Sequence, residues 1–395
     1  MSVVSFHGVP SLVDESDDGE AMEPNAFRIG SEEYLPEDLV VDILSRVPLA
    51  SLARFRSVSK RWKALINYVR FEKSSQIMLI DSRVYLGNIN FLGAQEKIVN
   101  ITSQFSLKDP LSNSSKEVNN IREVFHCEGL LLCTTEDNRL VVWNPCLDET
   151  TWIKPRSYYE RSDIFAFGKS SCNKYKILRI TLHGPRPAFE FMKPRLYEIY
   201  DFTSKSWRVI VHDETRDWSI LGLGRRGTCV DGNAYWLAFS SSQHQWMDIL
   251  LRFDFSTERF TSMDIPSSGR TFALSVTREE QKLCLLACVA AAADVDVWMA
   301  NKIDSSGAMS WSKFLTVKRV YNNNQWMFLT GMNFLVDEEN KVIVCPGKSL
   351  DSDRFLHIVG EDKCIQVDQH DVGGGSRCSL LLSYAPTLVS ISDIL

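Results

Sequence analysis

The chain has 395 residues, of which 44% are hydrophobic and 11% aromatic, enough apolar material for one large folded domain and a smaller one. Its net charge of −6 lies almost entirely in residues 1–30, where six acids face a single arginine, so the rest of the chain carries about −1. A nearly neutral folded part excludes the basic footprint of a nucleic-acid-binding domain. No apolar run reaches the ~18 residues that a membrane-spanning helix needs.

Residues 1–30 form an acidic segment that Pro10, Gly19 and Pro24 interrupt. Its composition is typical of a disordered, solvated tail. The segment lacks the order of a secretory signal, in which basic residues precede an apolar run. We therefore expect a cytoplasmic or nuclear protein whose cysteines are reduced.

Residues 31–75 contain three short predicted helices. Pro36 fits the first turn of the first helix, and Glu37 and Asp38 complement its positive end. Apolar residues then recur at helical spacing up to Pro48. The second and third helices carry the remaining apolar positions of this segment, which are Leu49, Leu52, Phe55, Val58, Trp62, Leu65 and Ile66.

Residues 76–395 change to short apolar runs separated by turn residues, which predicts an all-β domain. The predicted hairpins are LLLCTTEDNRLVVW (130–143), KYKILRI (174–180), TCVDGNAYWLAF (228–239), LSVTREEQKLCLLA (274–287) and FLVDEENKVIVC (334–345).

A weak repeat runs through this β-domain. It consists of a strand, a turn led by Asp or Asn, and a strand with Trp or Phe, at 141–153, 197–210, 250–263 and, more loosely, 295–314. With the hairpin before each copy, four strands recur about every 45–58 residues, near the ~50-residue period of kelch-type blades. We predict a kelch-like β-propeller with about six blades, and a β-sandwich as the alternative. Five blades fall at 127–153, 163–210, 227–263, 272–315 and 329–368, and Leu380–Tyr384 with Ile77–Tyr85 completes a sixth.

Residues 34–71 resemble the F-box. The positions that carry the resemblance are Leu35, Pro36, Leu39, Ile43, Leu44, Val47, Pro48, Leu52, Phe55, Val58, Lys60, Trp62, Leu65 and Phe71. Ser59 departs from the pattern, because many members have Cys there. The following region resembles the F-box-associated domain of plant F-box proteins, through VVWNPCLDETTWI, YKILR, YEIYDFTSKSWRVI, GNAYWLA and LLRFDFSTERF.

The resemblance implies a substrate-recognition subunit of a Skp–cullin–F-box ubiquitin ligase. In such a subunit the F-box (31–75) docks a Skp-family adaptor that links to a cullin, and the β-domain (76–395) recruits a target protein for ubiquitination. The residues agree with this, since three short helices hold more apolar positions than one small core can cover. The predicted adaptor-binding residues are Leu35, Pro36, Leu39, Ile43, Leu44, Val47, Pro48, Leu52, Phe55, Val58, Trp62 and Leu65.

Target binding is predicted on propeller loops, because loops on a rigid ring vary without cost to its core. Trp, Tyr, Phe and Arg in such loops are the candidates, since Trp, Tyr and Arg dominate binding hot spots. The candidates are Tyr158, Arg161, Arg186, Phe189, Trp218, Arg225, Arg226 and Trp246.

No pattern in the chain indicates catalysis, a metal or a cofactor. Gly222, Gly224 and Gly227 spell a G-x-G-x-x-G motif, but a predicted hairpin and not a helix follows it. Asp201 and Asp254 occupy matching repeat positions and are interpreted as turn formers. The seven histidines lie outside metal-ligand spacing. Two alternatives stay open: an F-box protein that acts outside a ligase, and a propeller enzyme.

Overall fold

A computed structural model describes part of the chain, and the statements below concern that part. The described residues are 26–29, 33–47, 49–55, 58–68, 75–90, 98–108, 120–183, 193–210, 218–220, 226–242, 245–266, 270–277, 282–288, 294–303, 309–318, 333–346, 354–361, 364–368 and 378–395. The chain divides into two compact units, Met1–Phe71 and Glu72–Leu395. Within the described ranges, no helix combines the length and the apolar composition that crossing a bilayer requires.

The first unit contains a two-stranded hairpin followed by three helices. Its elements are β1 (Ala26–Ile29), β2 (Glu33–Pro36), α1 (Glu37–Ser45), α2 (Leu49–Phe55) and α3 (Lys60–Tyr68). β1 and β2 are antiparallel, with Phe27 opposite Leu35.

The hairpin corrects the prediction of an all-α segment, and it includes Ala26–Ile29 from the predicted disordered tail. The reason lies in the local composition. The acids of the tail end at Glu23, and the four residues of β1 hold three apolar side chains that suit a paired strand. Helical spacing begins only after Pro36, so it could not reveal what precedes that residue.

The helices begin where the sequence predicts. Pro36 precedes α1, and Glu37 and Asp38 lie in its first turn. Ser59 precedes α3, and its hydroxyl accepts a 3.2 Å hydrogen bond from the backbone N–H of Trp62, as an N-cap does. α3 packs against both α1 and α2. The buried apolar side chains of these helices are Val40, Leu44, Leu52, Leu65 and Ile66.

The second unit is a six-bladed β-propeller made of antiparallel sheets. Blade 1 contains β6 (Ile121–Cys127), β7 (Leu130–Thr135), β8 (Leu140–Asn144) and β9 (Glu149–Ile153), and blade 2 contains β10 (Ile164–Lys169), β11 (Tyr175–His183), β12 (Lys193–Asp201) and β13 (Ser206–Val209). Blade 3 contains β14 (Trp218–Ile220), β15 (Thr228–Val230), β16 (Asn233–Ser242), β17 (Gln245–Asp254) and β18 (Arg259–Met263). Blade 4 contains β19 (Arg270–Val276), β20 (Leu283–Cys288), β21 (Val295–Ile303) and β22 (Met309–Val317). Blade 5 contains β23 (Leu335–Asp337), β24 (Val342–Pro346), β25 (Arg354–Val359) and β26 (Cys364–Asp368), and blade 6 contains β27 (Cys378–Tyr384), β3 (Ser75–Ile80), β4 (Arg83–Ile89) and β5 (Val99–Phe105).

Blade 6 closes the ring by joining the two ends of the unit. β27 from the C-terminal end pairs with β3 from the N-terminal end, with Leu381 opposite Met78. The first strand of each blade contacts that of the next, and β27 contacts β6 of blade 1. The predicted pairing of Leu380–Tyr384 with Ile77–Tyr85 is therefore confirmed, and the β-sandwich alternative is not supported.

Blade 3 differs from its prediction because its first strand has two pieces. β14 and β15 both pair with β16, at Ile220 opposite Ala238 and Thr228 opposite Tyr235. The prediction began this blade at residue 227 and so omitted β14. Each piece has three residues, and the glycine- and arginine-rich stretch between them hides the continuity.

The connections within a blade alternate between two faces of the ring, because each blade is an antiparallel meander. We call the face that carries the links between blades and the hairpins between second and third strands the linking face. The opposite face, the turn face, carries the other two turns. There, the Oδ1 atoms of Asp201 and Asp254 accept 2.8 and 2.7 Å hydrogen bonds from the backbone N–H two residues on. This confirms both residues as turn formers.

Two of the cysteines lie close together: Cys127 at the end of β6 and Cys229 in β15 have their Cα atoms 5.4 Å apart. The first strands of blades 1 and 3 approach each other inside the ring. Sequence spacing could not show this contact, since 102 residues separate the two cysteines.

Candidate functional site

The described helices of the first unit expose large apolar side chains although a core is already formed beneath them. Leu39 and Ile43 are 50% and 52% exposed and lie one turn apart on α1. Phe55, at the end of α2, and Val58, which is 65% exposed, follow further along the chain. We call these four residues the helical apolar surface. Exposed apolar side chains grouped in this way are typical of surfaces that bind another protein.

The structure divides the twelve predicted adaptor-binding residues into groups. The four residues of the helical apolar surface and Pro36 are exposed, and Leu35, Val47 and Trp62 are half-buried. Leu44, Leu52 and Leu65 are buried, which corrects their assignment as contact residues: they hold the helices together from beneath. Helical spacing marks both kinds of position as apolar and does not tell which face the other helices cover. Pro48 lies outside the described residues.

An ion pair ties the first and third helices together. Arg61 of α3 donates a 2.9 Å hydrogen bond from Nη2 to Oε1 of Glu37 in the first turn of α1. The packing of α3 against α1 thus has a polar component in addition to the apolar core. The helices are fixed to each other independently of any partner, so the helical apolar surface has a defined geometry.

In the propeller, the link between blades 1 and 2, residues 154–163, is held by a buried arginine. Arg179 of β11 donates hydrogen bonds to Oδ2 of Asp163 at 2.9 and 2.7 Å and to Oε2 of Glu198 at 3.1 Å. It also donates to Oγ of Ser157 at 3.0 Å and to the backbone carbonyl of Tyr158 at 2.8 Å. We call Arg179, Asp163 and Glu198 the arginine cluster. Burial raises the pKa of Asp163 above its ordinary value, against the opposing effect of the guanidinium.

The link presents one tyrosine and buries the next. Tyr158 is 79% exposed, the highest exposure among the large apolar side chains that the structure describes. Tyr159 is buried, with its ring 4.9 Å from the Arg179 guanidinium and 5.3 Å from the Phe165 ring. Burial raises the pKa of the Tyr159 phenol, so this side chain is neutral. The backbone around Tyr158 is therefore fixed while its ring faces solvent.

Basic side chains flank Tyr158. Arg156 and Lys154 are exposed, and Arg156 approaches Oε1 of Glu198 at 3.4 Å, a long contact. Arg161 is exposed and pairs with Glu136 of the neighbouring hairpin at 3.2 Å. The exposed residues of the link therefore combine an aromatic ring with guanidinium groups, which suits recognition of a protein surface.

Two of the other predicted target-binding residues have described side chains, Trp218 and Arg226, and neither joins Tyr158 and Arg161. Trp218 is buried, with its ring 5.1 Å from Phe260, so its assignment to a binding loop is corrected: it packs between blades 2 and 3. Arg226 is half-buried and donates a 2.7 Å hydrogen bond to the backbone carbonyl of Ser379. Trp246 belongs to β17, and its side chain is outside the description. Arg186, Phe189 and Arg225 also lie outside the described residues.

Two residues of the link escaped the sequence reasoning, Lys154 and Arg156. The sequence contains a pattern that could have identified them: KPRSYYER (154–161) places three cations around two tyrosines. Val209, exposed at the end of β13, was also missed. It lies in a strand that gives no local sign of exposure, because β13 reads as an ordinary alternating segment.

A narrow cavity of about 50 Å³ lies inside the ring, lined mainly by the first strands of the blades. Its polar lining includes Glu123, His126, Arg226, Asn333 and Ser383. Burial lowers the pKa of His126 to about 4, and Nε2 accepts a 2.9 Å hydrogen bond from the backbone N–H of Gly129, so the ring is neutral. This volume suits water molecules and is too small for an organic ligand. Across the described residues, no three or more His, Cys, Asp and Glu side chains form a group able to hold a metal ion.

Comparison with known proteins assigns both units. Residues 33–74 match the model of the F-box domain, and residues 75–391 match that of the F-box associated beta propeller domain. Two putative F-box proteins of Arabidopsis thaliana are similar over nearly the whole chain: one is 51% identical, covering 90% of this chain and 98% of the relative, and one is 46% identical, covering 91% and 97%. An F-box/kelch-repeat protein of the same plant is 38% identical, covering 91% of this chain and 95% of the relative.

Proposed function

We propose that this chain, which belongs to the F-box proteins that carry an F-box-associated β-propeller, is the substrate-recognition subunit of a Skp–cullin–F-box ubiquitin ligase. The F-box docks a Skp-family adaptor, and through it a cullin. The propeller holds a target protein close to the ubiquitin-charged enzyme. The subunit itself performs no chemistry and acts by raising the effective concentration of the target.

One observation carries this proposal: the helical apolar surface is exposed above a core that is already complete. Full burial of a Leu or Ile side chain contributes about 1.5–3 kcal/mol. Because Leu39 and Ile43 are half covered already, each would contribute about 1 kcal/mol on docking. The burial of these four side chains does not by itself offset the free-energy cost of association. The half-buried Leu35, Val47 and Trp62 therefore belong to the same interface.

The propeller supports the second half of the proposal through its architecture. The blades form a rigid ring, so the loops between their strands can carry recognition residues without cost to the core. We infer that the blades are of the kelch type, on the repeat period and on the name of one relative. We also propose that the protein works in the cytoplasm or nucleus, where the ligase acts.

The test is co-purification of the full chain with a purified Skp-family adaptor. Changing Leu39 and Ile43 together to Asp should abolish the complex, because two charges would have to be buried in an apolar interface. Asp42→Ala is the matched control: Asp42 is exposed on the same helix and its carboxylate pairs with Arg46, so the complex should persist. Adaptor binding by the double variant at wild-type affinity would contradict the docking role.

A second measurement separates a ligase subunit from an F-box protein that acts outside a ligase. The reconstituted assembly of chain, adaptor, cullin and charged enzyme is supplied with a protein that the propeller binds. Ubiquitin transfer to that protein, lost in the Leu39/Ile43 double variant, is the expected result. Adaptor binding without any transfer would favour the role outside a ligase.

A further inference from the structure

We infer that the target segment recognised by the propeller is acidic, and that Tyr158 and Arg156 anchor it at the junction of blades 1 and 2. This inference rests on the proposed function, and it names the partner class and the binding residues. It places the anchor on the linking face, since residues 154–163 connect two blades.

Tyr158 is carried by a backbone that hydrogen bonds hold in place. Its carbonyl and the hydroxyl of Ser157 accept hydrogen bonds from the buried Arg179, and the next ring, Tyr159, is buried beneath the same guanidinium. An exposed aromatic ring on a fixed backbone loses little entropy when a partner covers it. A 79% exposed tyrosine has no packing role of its own, so this arrangement has the features of a binding anchor.

Side chains from adjacent strands of blade 2 form a row beside the link. Arg179 lies opposite Glu198, and Glu198 lies opposite Val209, in adjacent strands of blade 2. Side chains directly opposite one another point to the same side of a sheet. The exposed Val209 therefore lies on the side that faces the link, next to Glu198 and to Arg156, which contacts Glu198. Val209 thus adds an exposed apolar side chain on the side of blade 2 where Arg156 contacts Glu198.

The cations of the link favour an acidic partner. Glu198 is already bound by Arg179 at 3.1 Å, and its contact with Arg156 is longer, at 3.4 Å. The Arg156 guanidinium is half exposed and keeps donors that point to solvent. Guanidinium groups bind carboxylates in a planar, two-bonded geometry. Of the three cations in residues 154–161, Arg161 is paired with Glu136, so Lys154 and Arg156 are the groups that attract an acidic segment.

The experiment uses the full chain without an adaptor and a library of short peptides with random residues around a fixed Leu. The peptides retained by the wild-type chain should be enriched in Asp and Glu and depleted of Lys and Arg. The affinity of one retained peptide is then measured for each variant. Tyr158→Ala should weaken binding about tenfold or more, as removal of a hot-spot aromatic does. Arg156→Gln should weaken it about fivefold and reduce its dependence on salt.

Matched control variants lie on the turn face. Lys205→Gln removes an exposed cation from the third turn of blade 2, and Leu395→Ala removes an exposed apolar side chain from the C-terminal segment. Both should bind the peptide as the wild type does. Thermal unfolding of every variant shows that the propeller is intact, which Tyr158→Ala cannot disturb through packing because its ring is in solvent.

The inference and the proposed function fail in different ways. A retained pool without acidic enrichment, or equal binding by Tyr158→Ala and the wild type, overturns the inference even when adaptor binding and ubiquitin transfer are normal. Loss of adaptor binding by the wild-type chain overturns the proposed function, while the peptide preference is still measurable. Enrichment of acidic peptides that both site variants lose and both controls keep supports the inference.

Discussion

Nη2 of the buried Arg179 donates a 2.8 Å hydrogen bond to the backbone carbonyl of Tyr158, whose side chain is 79% exposed. A residue of the blade interior thus fixes the position of a residue on the ring's surface. The same guanidinium neutralises one of two buried carboxylates, on Asp163 and Glu198. The stability of blade 2 and the position of the link therefore both depend on Arg179.

Arg179→Met should destabilise the propeller by about 3–5 kcal/mol, because Asp163 and Glu198 would remain buried without their cation. The free energy of unfolding in urea measures this. Arg161→Met, which breaks the exposed pair with Glu136, is the control and should change stability by less than about 1 kcal/mol. Equal effects of the two substitutions would show that the arginine cluster is not structural.

Exposed and buried leucines of the F-box should respond in opposite ways. Leu44→Ala should lower the stability of the helical unit by about 2–4 kcal/mol, since Leu44 is buried. Leu39→Ala should leave stability within about 0.5 kcal/mol and still weaken adaptor binding. Helical circular dichroism and adaptor affinity, measured on the same samples, distinguish the two. A stability loss at Leu39 similar to that at Leu44 would mean that Leu39 belongs to the core.

Stability should fall in mild acid because of His126. Burial lowers the pKa of His126 from 6.5 to about 4. Between these pH values, the unfolded chain therefore binds a proton at His126 and the folded chain does not. The stabilisation is complete above about pH 6.5 and is lost as the pH falls towards 4. Glu123 and Arg226 line the same cavity as His126, and both are unchanged in the variant that tests this prediction.

His126→Gln is the variant for this test, because its amide oxygen can still accept from the N–H of Gly129. Urea unfolding at pH 7.5 and pH 5 should show a smaller pH-dependent loss for the variant than for the wild type. An unchanged pH dependence would assign the acid sensitivity to other groups.

The C-terminal segment should stabilise the closed ring through Asn144. Nδ2 of Asn144 donates hydrogen bonds to the carbonyls of Thr387 at 3.1 Å and Val389 at 2.7 Å, and Leu388 and Ile391 are buried nearby. Asn144→Ala should cost about 1–3 kcal/mol, because two half-buried carbonyls lose their donor. Thr150→Ala, on the exposed side of β9, is the control and should be nearly neutral. The midpoint of thermal unfolding is the measurement.

The sequence predicted the elements that depend on local patterns. Period-2 runs and Asp- or Asn-led turns marked blades 2, 4 and 5 closely, because strand faces and turn chemistry depend on adjacent residues. β5 of blade 6, β14 of blade 3 and β6 of blade 1, which the predicted range 127–153 reaches only at Cys127, were missed. The first carries the polar stretch Asn100–Gln104 and the second has three residues, so neither shows the periodicity of a buried strand.

By itself the sequence indicated a helical unit, which resembles the F-box, before a repeated β-domain, since helical spacing, turn residues and repeat length are local properties of the chain. Only the tertiary structure decided which apolar helix positions are core and which are surface, placing Leu44 inside and Leu39 outside. It also decided that Trp218 packs between blades while Tyr158 faces solvent. Periodicity reports that a side chain is apolar, but exposure depends on what distant segments cover, and that is settled when the sheets and helices pack.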